Sequence, residues 1–274
     1  APDAAAAALA RAAAFQPYLR ALREHAAGAA LGELVPALGA AAGAVRDARR
    51  AEPPAGAAVL LPVWLFCHVS TPFSAALAHA PALITLLSLA SHMLTHASAS
   101  PRSATYAHLT LQILAAMLDV EPLCAALLTD DVHAEDAARD RGVRSGGVRI
   151  DRVVPCRDRA NPPAAHARTG PKRPRRLLVA VLDCVVVYSK YNLSRRLDVR
   201  THTAALGVVR AALGACVHRG VRLEYAWMEL WQALLNTAAF VAARGDELAP
   251  PAHIDGLARA LLDTLTDALV TSEA

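Results

Sequence analysis

The clearest hydrophobic pattern in the chain lies over 222–244, near its C-terminal end. Apolar side chains recur there at intervals of three and four residues, which places them along one side of an α-helix. The members of this apolar stripe are Leu223, Trp227, Leu230, Trp231, Leu234, Ala238 and Val241. The pattern predicts a helix over 222–244 that ends at Gly245 and Asp246. We expect its first five apolar positions to be core residues: Leu223, Trp227, Leu230, Trp231 and Leu234.

The segments on either side of this helix share its spacing. Residues 198–219 precede it and 252–272 follow it, and Asp198 and Gly220 stand where the first of these helices would begin and end. Each buried tryptophan ring removes roughly 150–250 Å² from water and needs a groove to receive it. The three segments are therefore predicted to pack together as a trio of helices.

Helical spacing also describes most of the chain upstream. Stops at proline and at small polar residues separate the segments, and β-branched residues never alternate at period two for long. The predicted helices cover 3–25, 31–50, three or four segments within 57–120, and 177–188. Within 57–120, the motif Ser70-Thr71-Pro72 is expected to cap a helix, and 98–103 to form a polar loop. The result is an all-α stack of eight to ten helices, in pairs of roughly 40 residues, the length of HEAT and armadillo units.

Residues 129–176 differ in kind, because they contain glycine and proline throughout and no large aliphatic cluster. Between 139 and 176 the chain carries twelve Lys and Arg against three Asp, a net charge of +9, whereas the whole chain is +4. The remainder is therefore 4 − 9 = −5. We predict a long irregular basic loop whose charge attracts an acidic protein surface, anionic lipid headgroups or nucleic acid. The residues expected to make such a contact are Lys172, Arg173, Arg175 and Arg176.

The composition bears on the compartment. A hydrophobic fraction of 55% raises the question of a membrane protein, but the longest apolar runs are 57–67, 80–87 and 177–187. A membrane-spanning helix needs about 20 apolar residues, so we expect no transmembrane segment. No basic region precedes an apolar core at the start, so we expect no signal peptide, and five widely spaced cysteines without a CxxC pair favour a reducing cytosol. Because the first residue is Ala rather than Met, we interpret the chain as a fragment or a processed product.

Several residues invite a chemical interpretation, and each has a simpler one. His92 and His96 stand four apart and could share zinc, but the HExxH pattern is absent, so we interpret them as surface residues near the end of a helix. Cys67 and His68 are adjacent, which gives no support for a nucleophile pair. The Gly-rich stretch 141–149 lacks the spacing of a phosphate-binding loop and is interpreted as a linker. We therefore predict no catalytic, cofactor or metal site and no enzymatic activity.

The aromatic residues near 227 allow two interpretations. Trp227, Met228 and Trp231 could anchor a partner, since aromatics and Met are enriched at interfaces, but helical spacing favours the core. Tyr225 and Glu229 stand four apart and off the apolar stripe, so they are the predicted exposed contacts.

The same stretch resembles a known family. Arg222-Leu223, Tyr225, Trp227, Glu229-Leu230-Trp231, Ala233-Leu234 and Phe240 are similar to the signature helix of the armadillo-like helical domain protein family. Upstream, the motifs that follow the family in order are Thr129-Asp130-Asp131, Val181-Leu182-Asp183 and Leu197-Asp198-Val199. The resemblance extends over about 59–270. It implies an armadillo-like α-solenoid and no active site.

The resemblance also implies a cellular role. Members of the family are implied to act as scaffolds in Golgi organisation and secretion, through contacts with the Golgi ARF guanine-nucleotide exchange factor and phosphatidylinositol 4-kinase beta. We thus expect a cytoplasmic protein, peripherally associated with the Golgi membrane. The predicted organisation is an Ala-rich helical segment (1–56), helical repeats (57–128), the basic loop (129–176) and a C-terminal helical bundle that continues the solenoid (177–274). The alternative is a nucleic-acid-binding adaptor that uses the basic loop.

Overall fold

The computed structural model describes residues 27–47, 53–129, 176–194, 197–248 and 251–273. Within these ranges the chain forms ten α-helices and two short 3₁₀ turns (Ala55–Val59 and Ala97–Ala99), and no strand. The helices are α1 (Ala27–Asp47), α2 (Leu60–Val69), α3 (Thr71–Leu77), α4 (Ala80–Thr95), α5 (Pro101–Asp119), α6 (Glu121–Leu128), α7 (Leu177–Asn192), α8 (Val199–His218), α9 (Trp227–Leu248) and α10 (Pro251–Glu273). The predicted all-α class is confirmed for this part of the chain. The predicted helix 3–25 and nearly all of the basic loop lie outside the described residues.

Helix α7 lies at the centre of the packing. Thirteen of its sixteen residues are buried, and it contacts α4, α6, α8 and α9. A helix that is apolar on every side can only be stable when other helices surround it. The strongest amphipathic pattern in the sequence belongs to α9, but the structure is built around α7.

Local capping explains several helix starts. Ser70 Oγ accepts a hydrogen bond from the Phe73 amide at 3.3 Å, and Asp198 Oδ1 accepts one from the Thr201 amide at 3.1 Å. These two caps confirm the predicted starts of α3 and α8. Ser100 Oγ likewise accepts from the Ser103 amide at 3.1 Å, so α5 begins at Pro101, inside the predicted polar loop.

The amphipathic helix has different ends from those predicted. Helix α8 ends at His218, Gly220 follows with a φ of +60°, and the Val221 amide donates to the Cys216 carbonyl at 2.9 Å. This Schellman turn redirects the chain, so 221–226 is not helical and α9 begins only at Trp227. The predicted stop at Gly245 is also wrong, because α9 continues to Leu248.

The predicted trio of helices is only partly observed. Helix α10 packs against both α8 and α9, but the other main neighbour of α8 is α5 and that of α9 is α7. Arg210 on α8 strengthens the α8–α10 contact by pairing with Asp267 at 2.8 Å and Asp263 at 3.2 Å. Helix α10 is therefore the shared element, and the predicted solenoid order of the whole chain stays a prediction.

Polar side chains fix the end of α7 against the end of α4. Asn192 accepts from the Ser98 amide at 3.0 Å and donates to the Leu94 carbonyl at 2.9 Å. Beside it, the Tyr188 hydroxyl lies 3.1 Å from Nδ1 of the buried His202. The two Asn192 bonds join segments almost 100 residues apart and set the register of α7 against α4, whereas the Tyr188–His202 contact joins α7 to the neighbouring α8.

No single helix within the described ranges is both long and apolar enough to cross a membrane. Two pairs of consecutive helices are long and apolar enough when taken together, but each pair is bent. The bend is 119° between Ala55–Val69 and α3, and 90° between α5 and α6.

Candidate partner-binding face

Large apolar side chains are exposed on the outer sides of α9 and α10. On α9, Met228 is 79% exposed and Leu235 is 55% exposed; on α10, Leu262 is 65% exposed and Leu269 is 53% exposed. Within each helix the two residues stand seven apart, which is two helical turns, so they lie on the same side. Each helix therefore presents a short apolar row to solvent.

The two rows border the same seam. Successive residues of an α-helix are 100° apart around its axis. On α9, half-buried Trp231 therefore has an angular position between those of buried Leu234 and exposed Leu235. Half-buried Leu265 falls between buried Leu261 and exposed Leu262 around α10 in the same way.

A contact between the end of α9 and the start of α10 shows which flanks of the two helices face each other. A Cβ added to Gly245 of α9 would lie 3.2 Å from Ile254 Cγ2 of α10. These residues stand on the same flanks as Trp231 and Leu265, so those flanks line the α9–α10 seam. We call this surface the outer face; it consists of Met228, Trp231, Leu235, Leu262, Leu265 and Leu269.

The α9–α10 pair has more acidic than basic residues, but three of the acidic side chains pair with α7 or α8: Glu229 with Lys190, and Asp263 and Asp267 with Arg210. Residues 227–273 contain seven Asp and Glu against two Arg, a net charge of 2 − 7 = −5. Asp255 is exposed and stands two turns before Leu262, at the end of the apolar row of α10. Glu247, at the end of α9, is exposed as well. The outer face is thus apolar along its seam, with Asp255 and the exposed Arg259, four residues later, beside the apolar row of α10.

The residues predicted as core have two environments. Leu223, Leu230 and Leu234 are buried, whereas Trp227 and Trp231 are half-buried and pack against the core from its edge. Met228, for which the core interpretation was favoured, is the most exposed large apolar residue among those described, so that interpretation is wrong.

The two predicted exposed contacts are not free surface groups. Tyr225 lies in the non-helical stretch before α9, its ring is 5.4 Å from that of Trp227, and its hydroxyl is buried. Burial, with the Asp183 carboxylate close by, raises the pKa of that hydroxyl. The prediction of exposure fails for Tyr225 because the helix starts two residues later. Glu229 is about one-third exposed and pairs with Lys190 at 3.2 Å.

Of the four predicted basic contacts, Lys172, Arg173 and Arg175 lie outside the described residues. Arg176 is half-buried at the start of α7 and donates from Nη1 to the Arg222 carbonyl at 3.3 Å. This bond connects α7 to the stretch before α9, and the role of Arg176 in contacting a partner or membrane stays a prediction.

His92 differs from the predicted surface residue. It is buried in α4, and its ring lies 4.7 Å from that of His96. Burial, and secondarily the nearby His96, lowers the pKa of His92 to about 4. In the part of the chain that the structure describes, no group of three or more His, Cys, Asp or Glu is placed to hold a metal ion.

Four cysteines within the described ranges are buried free thiols that form no disulfide: Cys67, Cys124, Cys184 and Cys216. Burial raises the pKa of Cys67 to about 12 and that of Cys216 to about 11. Both thiols are protonated at neutral pH and are therefore poor nucleophiles. His68 is exposed, and the centroid of its ring lies 5.4 Å from that of Trp64 in an edge-to-face arrangement.

The described chain is thus an all-helical protein whose outer face is suited to contact other molecules, the kind of architecture found in helical scaffolds. Residues 175–274 match the family model described as armadillo-like helical domain-containing protein 3, C-terminal. The match spans α7 to α10 and confirms the resemblance over this part of the chain. No curated protein and no solved structure matches the chain.

Proposed function

We propose that the chain is a non-enzymatic helical scaffold that gathers other proteins. The observation that carries this proposal is the outer face, where four large apolar side chains are exposed on two adjacent helices of the matched region. Contiguous exposed apolar surface on a folded protein typically marks an interaction site. The buried, protonated thiols and the buried neutral His92 agree with a structural role for these residues.

The finer role follows the family resemblance. We propose that the scaffold acts in Golgi organisation and secretion, on the cytoplasmic side and peripherally bound to the Golgi membrane. Its proposed partners are the Golgi ARF guanine-nucleotide exchange factor and phosphatidylinositol 4-kinase beta. The match to the C-terminal domain of the family supports this assignment.

The test is affinity capture of the full chain from cell lysate, read by mass spectrometry with and without nuclease. We expect the exchange factor and the kinase to be enriched and to resist nuclease. The matched control is the full chain with Leu235→Gln and Leu262→Gln, which we expect to lose part of the captured set. Capture of neither protein would contradict the Golgi assignment, and capture of no protein above background would contradict the scaffold itself.

The second candidate is a nucleic-acid adaptor, which the net charge of +9 over 139–176 favours. It predicts that the captured proteins are RNA-binding proteins and disappear after nuclease treatment. Binding would then weaken steeply with salt, because each neutralised phosphate releases counterions.

A further inference from the structure

We infer that the matched region, 175–274, is not an autonomous domain, because α7 and α8 keep their fold only together with the upstream helices α4, α5 and α6. The inference concerns which residues make up the folded unit. It goes beyond the proposed function and does not depend on what the scaffold binds.

Helix α7 has more buried sides than the matched region covers. Thirteen of its sixteen residues are buried, and its main neighbours within the matched region are α8 and α9. Its other main neighbours, α4 and α6, lie upstream. Cys184 Sγ lies 4.0 Å from the Leu87 carbonyl of α4, and eight residues later Asn192 donates to the Leu94 carbonyl at 2.9 Å. The side of α7 that carries Cys184 and Asn192 is therefore the side that α4 covers.

Helix α8 depends on upstream helices in the same way. Nine of its twenty residues are buried, and α5 is one of its main neighbours. At the start of α8, the Thr201 hydroxyl lies 3.4 Å from Nδ1 of His108 on α5. Just after its end, Arg219 pairs with Glu121 of α6. The upstream helices thus contact α8 at both of its ends.

Loss of the upstream helices would leave apolar side chains of the matched region without cover. The sixteen residues of α7 extend over about 24 Å at 1.5 Å per residue, and the side of α8 that faces α5 would be uncovered as well. Folded monomers rarely expose a contiguous apolar patch larger than a few hundred Å². A helix that is apolar on every side is stable only when other helices surround it. The folded unit therefore extends upstream of residue 175.

The experiment is hydrogen exchange of the full chain, read by mass spectrometry on peptides from α4, α7 and α8. The slowest amides of a cooperative unit exchange when the whole unit opens, so a change in its stability alters all of them by one factor. The perturbation is Phe73→Leu on α3, since Phe73 is fully buried, its ring centroid lies 5.5 Å from that of Phe66, and the main neighbours of α3 all precede residue 129.

We expect Phe73→Leu to speed the slowest amides of α4 at least about tenfold and those of α7 and α8 by the same factor. The matched control is Leu61→Gln, because Leu61 is 58% exposed on α2, and it should leave exchange unchanged in all three helices. If Phe73→Leu does not fold, Leu77→Met at another fully buried position of α3 makes the same test with a smaller increase, about threefold.

The comparison between helices decides the outcome. Faster exchange in α4 with unchanged exchange in α7 and α8 would show that the matched region stays folded when the upstream helices open, and would overturn the inference. That result leaves the scaffold proposal standing, since that proposal depends on the captured proteins.

Discussion

At the scale of single residues, the burial of His92 should make the stability of the fold depend on pH. Its folded-state pKa is lowered to about 4, whereas a histidine in the unfolded chain titrates near 6.5. Below pH 6.5 the unfolded chain therefore binds a proton that the folded chain excludes. The free energy of unfolding should fall as the pH drops from 6.5 towards 4, and burial lowers the pKa of His202 in the same direction.

We expect His92 to account for up to about 3 kcal/mol of this loss. The measurement is urea unfolding at pH 7 and at pH 4.5, for the parent and for His92→Leu. Between pH 7 and pH 4.5, the free energy of unfolding should fall less for His92→Leu than for the parent. His253→Gln, a change at an exposed position on α10, serves as the control and should keep the parental difference. If His92→Leu shows the same loss as the parent, His92 is not a source of the acid sensitivity.

At the scale of elements, Gly214 inside α8 and Gly220 just after it allow a matched comparison. An added Cβ would meet no atom within 4 Å at either glycine, but Gly220 has a φ of +60° whereas Gly214 lies inside the helix. Gly220→Ala should destabilise the fold by about 1–2 kcal/mol, because an L side chain is strained at positive φ. Gly214→Ala should stabilise it by about 0.5–1 kcal/mol.

Thermal unfolding followed by circular dichroism measures both changes. The opposite signs are the informative result, since a general intolerance of α8 to alanine would lower both melting temperatures. A Gly220→Ala variant as stable as the parent would contradict the assigned turn.

The elements also show which features a sequence can predict. Ser70, Asp198 and Gly220 act through bonds to neighbours within five residues, so their patterns were sufficient to locate helix ends. Residues 222–226 have helical spacing but follow the Gly220 turn. The spacing alone does not distinguish a helix that begins at 222 from one that begins at Trp227. Gly245 resembles a helix end, yet α9 continues through it to Leu248, and a Cβ at this position would lie 3.2 Å from Ile254 Cγ2 of α10.

The same limit applies to the candidate face. Leu235 and Leu262 are visible in the sequence as apolar residues seven apart from Met228 and Leu269, which is the signal that could have identified them. Their meaning depends on which flank of each helix faces the other, and only the packing shows this. The burial of His92 is not visible in the sequence for the same reason, because it depends on packing between helices.

At the scale of the whole molecule, the uneven charge predicts membrane behaviour. The +9 segment over 139–176 contrasts with the remaining −5, and each Lys or Arg near an anionic surface contributes about 1 kcal/mol. We expect weak, salt-sensitive flotation of the full chain with vesicles containing phosphatidylserine or phosphatidylinositol 4-phosphate.

Replacing Lys172, Arg173 and Arg175 with Ser should reduce this flotation at low salt. Arg176 is left unchanged, because its bond to the Arg222 carbonyl would confuse a binding effect with a structural one. Equal flotation of parent and variant would contradict a role for this cluster, and no flotation of either would contradict membrane attraction altogether.

The packing of α7 against α4 also has a consequence for how the chain is made. Translation produces about 5–20 residues per second, so the roughly 80 residues between these helices need about 4–16 s to synthesise. During that time the buried face of α4 has no α7 to cover it, although helices form within microseconds. We expect the nascent chain to expose this apolar surface to chaperones until α7 leaves the ribosome, which makes the delay before α7, rather than any single helix, the vulnerable stage of its biogenesis.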